Sequence, residues 1–135
     1  MIQEAYYLYV EDEPMSREVM SLIMETIVVT ENFTIFEDSS NFMERVRALE
    51  VKPDIILIDI QMKPHDGFET LEMIRSDVSY NDVPIVALTA SVMHEEVHRL
   101  REAGFNGAIG KPLDVQTFPN LLERILQGEH IWHPS

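Results

Sequence analysis

Asp59 ends an almost wholly apolar run inside "IILIDIQMKPHDG", residues 55–67, and turn residues follow it at once. A carboxylate so placed is costly unless it is paired or used. Three other segments hold groups able to meet it: "EDE" (Glu11, Asp12 and Glu13), Thr89 at the end of "PIVALT", and Gly110, Lys111 and Pro112 after "GAI". Crowded carboxylates repel one another, and a hard divalent cation with oxygen ligands relieves them, magnesium being the usual intracellular candidate. Lys111 adds a positive charge and Thr89 a hydroxyl donor. Such a set neutralises a cluster of anionic oxygens, and a phosphoryl group carried by Asp59 is the ligand that fits it. Asp59 is the expected nucleophile, because aspartate forms acyl phosphates.

These residues meet only if the chain between them alternates strand and helix. Five short apolar or β-branched runs read as strands: 5–10, 33–37, 54–60, 84–90 and 107–110. Helical spacing joins them. Met15, Val19, Leu22, Ile23 and Ile27 recur after Pro14 and predict a buried face there, with the methionines as core filling. Phe42, Val46 and Leu49 follow the cap candidates Ser39, Ser40 and Asn41, and Phe68, Leu71 and Ile74 follow Asp66 and Gly67. Ser91 is the expected cap of a helix bearing Met93, Val97 and Leu100, which stops at Gly104. The last helix holds Phe118, Leu121, Leu122, Ile125 and Leu126 and ends at Gly128; Pro119 leaves two starts open, at Asp114 or after Thr117 as cap. The alternation predicts an α/β fold, a doubly wound parallel sheet of five strands with five helices, whose ligands sit at the carboxyl ends of the strands.

With 24 acidic and 10 basic residues the formal charge is −14, which repels phosphate backbones and anionic surfaces, so neither nucleic acid nor membrane is an expected partner. No cysteine is present, so thiolate zinc sites, disulfides and cysteine nucleophiles are out. No signal-peptide pattern opens the chain and no run approaches the ~20 apolar residues of a span. The expectation is one cytoplasmic domain over residues 1–128 with a tail at 129–135.

The ordered pieces "YVEDEP", "DIILIDIQMKPHDG", "PIVALTA" and "GAIGKP" resemble the receiver domain of two-component response regulators, from about residue 5 to 127. The resemblance implies a flavodoxin-like receiver fold with strand order 2-1-3-4-5. It implies that Asp59 accepts a phosphoryl group from a phosphohistidine on a sensor histidine kinase or histidine phosphotransfer protein. Asp12, Asp59 and the backbone carbonyl of Gln61 would hold Mg2+, with Glu11 acting mostly through water. Lys111 would pair with Asp59 and then with its phosphate. Thr89 would move to the phosphate and reshape the surface of the fourth helix, fifth strand and fifth helix, through which a downstream protein is met. Gln61 and Ser91 fall where the family tunes hydrolysis of the acyl phosphate. Such a chain is a signalling phosphoacceptor rather than an enzyme acting on other substrates, a monomer or weak homodimer.

Two departures stand out. Ala108 occupies the place, three before the lysine, where the family commonly has an aromatic residue, leaving propagation to Thr89 and its loop or to a neighbour such as Phe105. Pro64, after Lys63, comes one place late, which predicts a reshaped loop over the acceptor.

Blander or rival readings attach to the same residues. Asp59 and Lys111 could form an inert ion pair in a constitutive interaction module, and Glu13 reads as a solvated helix start. "HEEVH" at 94–98 satisfies the H-E-x-x-H zinc-protease pattern, but no third ligand follows and its helix reads as exposed. An aspartate-based phosphatase typically has a second acid two residues after its nucleophile, where Gln61 stands. His65, His130 and His133 read as loop and tail residues. Ile131 and Trp132 form either a loose tail, a segment docked on the domain or a dimer contact.

Overall fold

A computed structural model describes residues 2–133. The element order is β1 (Tyr7–Val10), α1 (Pro14–Ile23) continued by a π-helical turn (Met24–Val28), β2 (Phe33–Phe36), α2 (Phe42–Arg47), β3 (Ile55–Asp59), α3 (Gly67–Arg75), a 3-10 turn (Val78–Tyr80), β4 (Ile85–Thr89), α4 (His94–Ala103), β5 (Gly107–Gly110), α5 (Phe118–Leu126) and β6 (Ile131–His133). The strands lie in one parallel sheet in the order β2-β1-β3-β4-β5-β6. This is the expected α/β receiver architecture with its five helices, except that the sheet has six strands rather than five. The segment after Gly128 supplies the sixth. Its three residues are too few to show a period of two, which is why the sequence leaves it open.

Alternate residues of each strand enter two separate cores. Leu8, Val10, Ile56, Ile58, Ala87 and Ala108 face α2, α3 and α4, where Phe42, Leu71 and Leu100 meet them. Tyr7, Tyr9, Ile55, Leu57, Val86, Leu88 and Ile109 face α1 and α5, where Met20, Phe118, Leu121 and Ile125 meet them. All five residues of β3, Asp59 included, are buried, as a strand with neighbours on both edges and helices on both faces must be.

The expected face of α1 needs correction. Met15, Val19, Leu22 and Ile27 are exposed, whereas Met20, Ile23, Met24 and Val28 fill the core. The helix has two adjacent apolar stripes, and the π-helical turn adds a residue to its last turn, so Val28 rather than Ile27 reaches the sheet. Met20 and Met24 are core filling as expected, and Met15 is not. The turn ends on Val29 in the left-handed region at φ 62°, a place usually given to Gly or Asn.

Helix starts follow their caps. Asp66 accepts from the Glu69 N–H at 2.9 Å and Glu69 Oε1 accepts from the Asp66 N–H at 3.0 Å, a complete capping box for α3. Ser91 is not the cap of α4; that position falls to Met93, and Ser91 stays in the preceding loop. Of the two starts for the last helix the chain takes the later, with Thr117 at the cap position and Pro119 in the first turn, where its missing N–H costs nothing. No helix of the described residues is long and apolar enough to cross a membrane.

Candidate acceptor site

The carboxyl ends of β1, β3, β4 and β5 open into a cleft of about 730 Å³ whose lining includes Glu11, Asp12, Asp59, Gln61, Thr89, Ser91 and Lys111. Every residue proposed from sequence for the site is in that lining. Parallel register brings them together: Asp59 pairs with Leu88, and Thr89 with Gly110, so the residues ending three strands stand nearly level. Lys111 is fixed by its own backbone, whose N–H donates to the Thr89 carbonyl at 2.8 Å.

Lys111 Nζ donates to Asp59 Oδ1 at 2.8 Å and to Glu11 Oε1 at 3.0 Å. Glu11, wholly buried, is also held by the Tyr9 hydroxyl at 2.9 Å and the Glu13 N–H at 3.2 Å. Glu11 thus anchors the lysine, a part its acidic triplet did not announce. Asp12 Oδ2 accepts the Lys63 N–H at 3.1 Å, which ties the loop after β3 to the site. The Glu13 side chain instead caps α1, accepting from the N–H groups of Met15 and Ser16 at 2.9 and 2.7 Å. Those bonds, made by an exposed carboxylate, hold its pKa below the ordinary value.

Burial pushes the Asp59 carboxyl up to about 6 and the Glu11 carboxylate adds to the rise, while Lys111 opposes both. For Lys111, burial works against the charge, but its bonds to Asp59 and Glu11 together prevail and raise its pKa. Tyr9, raised by burial and then by Glu11, keeps its proton and donates it to that carboxylate.

One oxygen from each of Glu11, Asp12 and Asp59 lies within 4.8 Å of the others, the one acidic or histidine group among the described residues close enough to hold a metal. An all-oxygen set of carboxylates suits a hard divalent cation. The "HEEVH" residues do not gather a third ligand. His94 and His98 stand exposed on α4, and His98 lies 3.8 Å from Glu102.

The Thr89 hydroxyl does not point free into the cleft. It donates to the Ser91 carbonyl at 3.0 Å and accepts the Ser91 N–H at 3.1 Å, closing a small turn. Ser39, read from sequence only as a cap candidate, is buried and clasps His65: its hydroxyl donates to the carbonyl at 2.7 Å and accepts the N–H at 2.8 Å. With Asp12 on Lys63, it pins both ends of the loop that holds Pro64, and the Lys63–Pro64 peptide is cis. Behind the loop a Cβ on Gly67 would lie 2.8 Å from Ile60 Cδ1 and 2.9 Å from Ile60 Cα, so only glycine lets α3 start this close to the acceptor strand. Phe105 is buried edge-on to Phe68, with ring centroids 5.9 Å apart.

The model of the response regulator receiver domain matches residues 7–123. The chain belongs to that family. This receiver is 31% identical over 129 residues to the nitrate/nitrite response regulator protein homolog of Haemophilus influenzae, covering 95% of this chain and 60% of that protein. It is 33% identical over 132 residues to the probable C4-dicarboxylate response regulator DctR of Priestia megaterium, covering 92% and 56%. The receiver thus spans little more than half the length of these relatives. Among solved structures it superposes on the receiver domain of sensor histidine kinase PA1611 from Pseudomonas aeruginosa, described with magnesium coordinated in the active-site cleft. The TM-score is 0.78 at 24% identity, covering 92% of this chain and 98% of that one. Vibrio cholerae chemotaxis response regulator CheY4 gives 0.78 at 23% identity, covering 90% and 98%. At such identities the likeness is one of fold.

Proposed function

We propose that this receiver accepts a phosphoryl group on Asp59 from a phosphohistidine of a sensor kinase or phosphotransfer protein, in a Mg2+-dependent step, and signals through protein contacts. The observation that carries the reading is Lys111 bridging Asp59 and Glu11 beside Asp12, a cation and an all-oxygen acidic set around one buried carboxylate. In the step, the Asp59 oxygen not held by Lys111 attacks phosphorus and an O–P bond forms. The P–N bond to the donor imidazole breaks, and the imidazole leaves with that electron pair and takes up a proton. Asp59 must be ionised to attack, and Lys111 keeps it so at neutral pH against its burial. Magnesium held by Asp12, Asp59 and the Gln61 carbonyl, with Glu11 behind Lys111, would neutralise phosphoryl oxygens; the coordination named for the Pseudomonas neighbour supports this choice of metal. Lys111 is placed to move from Asp59 to a phosphoryl oxygen. Thr89 would exchange its two bonds to Ser91 for one to the phosphoryl group, drawing the loop before α4 inward. Turnover is limited to the chain's own acyl phosphate, by later attack of water.

A donor must bring its imidazole to the cleft mouth. The exposed Met15 and Val19 on α1 border a groove that shares Ser16 and Lys111 with the cleft. An apolar helix face of the phosphohistidine-bearing protein fits that border, and the output contact falls to α4, β5 and α5, with β6 lying along β5.

Intact mass after incubation with acetyl phosphate tests the reading. A phosphate-sized gain that requires Mg2+ and is absent from Asp59→Ala is the expected outcome. No gain from acetyl phosphate or from a phosphohistidine donor would overturn it and leave the constitutive interaction module.

A further inference from the structure

β6 lies along β5 with Ile131 beside Gly107, Trp132 beside Ala108 and His133 beside Ile109. The two small residues of β5 are shaped for it. A Cβ on Gly107 would run into the Ile131 carbonyl oxygen and lie 3.2 Å from its nitrogen. Ala108, wholly buried, has a side chain short enough to leave its flank to Trp132, which packs on the same core. Above the indole sits α4: the Arg101 guanidinium is 4.7 Å from the ring centroid. The same helix reaches the acceptor cleft, where Glu96 and Arg99 line the wall and Arg99 covers Phe68 at 4.8 Å. Just before α4 runs the loop that the Thr89 hydroxyl fastens through Ser91. A single helix is therefore held at one end by the acceptor-side turn and along its flank by Trp132.

We propose that β6 is a strap in cis whose Trp132 braces α4 in the resting state and is released when Asp59 carries a phosphoryl group. The inference rests on the acceptor reading above. Drawing Thr89 off Ser91 shifts the loop and α4 with it, and Arg101 moves from the indole. The strand then keeps its three ladder residues, buried Ile131 and the packing of Trp132 on the core, but loses the brace from α4, and the edge of β5 opens. Strap docking and phosphoryl occupancy bias one two-state element, so each must weaken the other by the same factor.

Trp132 is the chain's one tryptophan, so its fluorescence reports the strap alone. The full chain is titrated with Mg2+ and beryllofluoride, a non-covalent phosphoryl mimic, with binding followed by calorimetry and the indole by acrylamide quenching. Quenching is expected to rise at saturation in the wild type and to stay unchanged in Asp59→Asn. Gly107→Ala, which displaces Ile131, and Trp132→Leu, which removes the brace but leaves an apolar side chain, should each bind the mimic about fivefold tighter or more. An indole unmoved at full occupancy overturns the strap, as do wild-type affinities in both variants. If calorimetry finds no binding to the wild type, the acceptor reading fails and the strap's regulatory part falls with it.

Discussion

Asp59→Asn makes the metal-free protein more stable at pH 7.5 than the wild type, by on the order of 3 kcal/mol, and the gain fades on acidification. The folded pKa of Asp59 is about 6 against an ordinary value of 3.8, so the folded chain holds this proton more tightly than the unfolded chain does. Stability from this group is therefore greatest at low pH and is lost as pH rises from about 4 through 6. Above 6 the ionised carboxylate, buried beside Glu11, carries its full penalty, about 1.4 kcal/mol for each tenfold gain in proton affinity on folding. Asparagine keeps an acceptor for Lys111 without the charge and escapes that penalty at every pH. The advantage should shrink to about 1 kcal/mol at pH 4.5, with the other carboxyl groups cancelling in the comparison. Magnesium narrows the gap, because it would bind the wild-type carboxylates more tightly and stabilises only the state it binds. Thermal unfolding of both proteins across pH, with chelator and then with Mg2+, measures this. A difference that does not change with pH would contradict it.

Lys111→Met lowers the rate of phosphorylation by acetyl phosphate about a hundredfold and at the same time tightens Mg2+ binding. The rate falls because the lysine, paired with Asp59 at 2.8 Å, is the cleft cation that would take the charge of the incoming phosphoryl group. Removing one such preorganised donor costs 10²–10³-fold in rate, as an order of magnitude. Affinity for the metal rises because Nζ occupies oxygens of Asp59 and Glu11 that a cation would otherwise share. A variant that had merely lost its fold would lose both properties, so the opposite signs separate the two cases. Titration of Mg2+ by calorimetry and donor kinetics by intact mass give the two numbers. A parallel loss of metal and rate would refute the role given to Lys111.

The residues that end strands were legible because their surroundings are extreme. A run of apolar residues as complete as β3 is buried on both faces, and whatever polar residue ends it must point at the ligand edge. Asp59, Thr89 and Lys111 follow from that alone, and the acidic triplet supplies their complement. Phase and partner were harder to read. The apolar residues of α1 fill two stripes, and only the π-helical turn and the αL residue Val29 decide that Val28 faces the sheet. Neither has a signature in residue type. Ser91 looks like a cap because serine so often is one, yet its backbone is taken by the Thr89 hydroxyl and the cap position falls two residues later, at Met93. Ser39 acts through His65, 26 residues on, a contact that no local spacing encodes, whereas Tyr9 meets Glu11 at the i, i+2 spacing that puts both on one face of the strand. β6 is the plainest case. Ile131 and Trp132 have little meaning by themselves, and the clue lay in Gly107 and Ala108, two small residues that leave an edge for them.

The central claim is an acyl phosphate on Asp59. The most direct measurement is reductive trapping: the protein is incubated with Mg2+ and acetyl phosphate, treated with borohydride, digested and sequenced by mass spectrometry. Borohydride converts an aspartyl phosphate to homoserine and leaves a free aspartate unchanged. The account predicts homoserine at position 59, dependent on both Mg2+ and donor. Homoserine at another aspartate, or a phosphate-sized gain that borohydride does not convert, would contradict it.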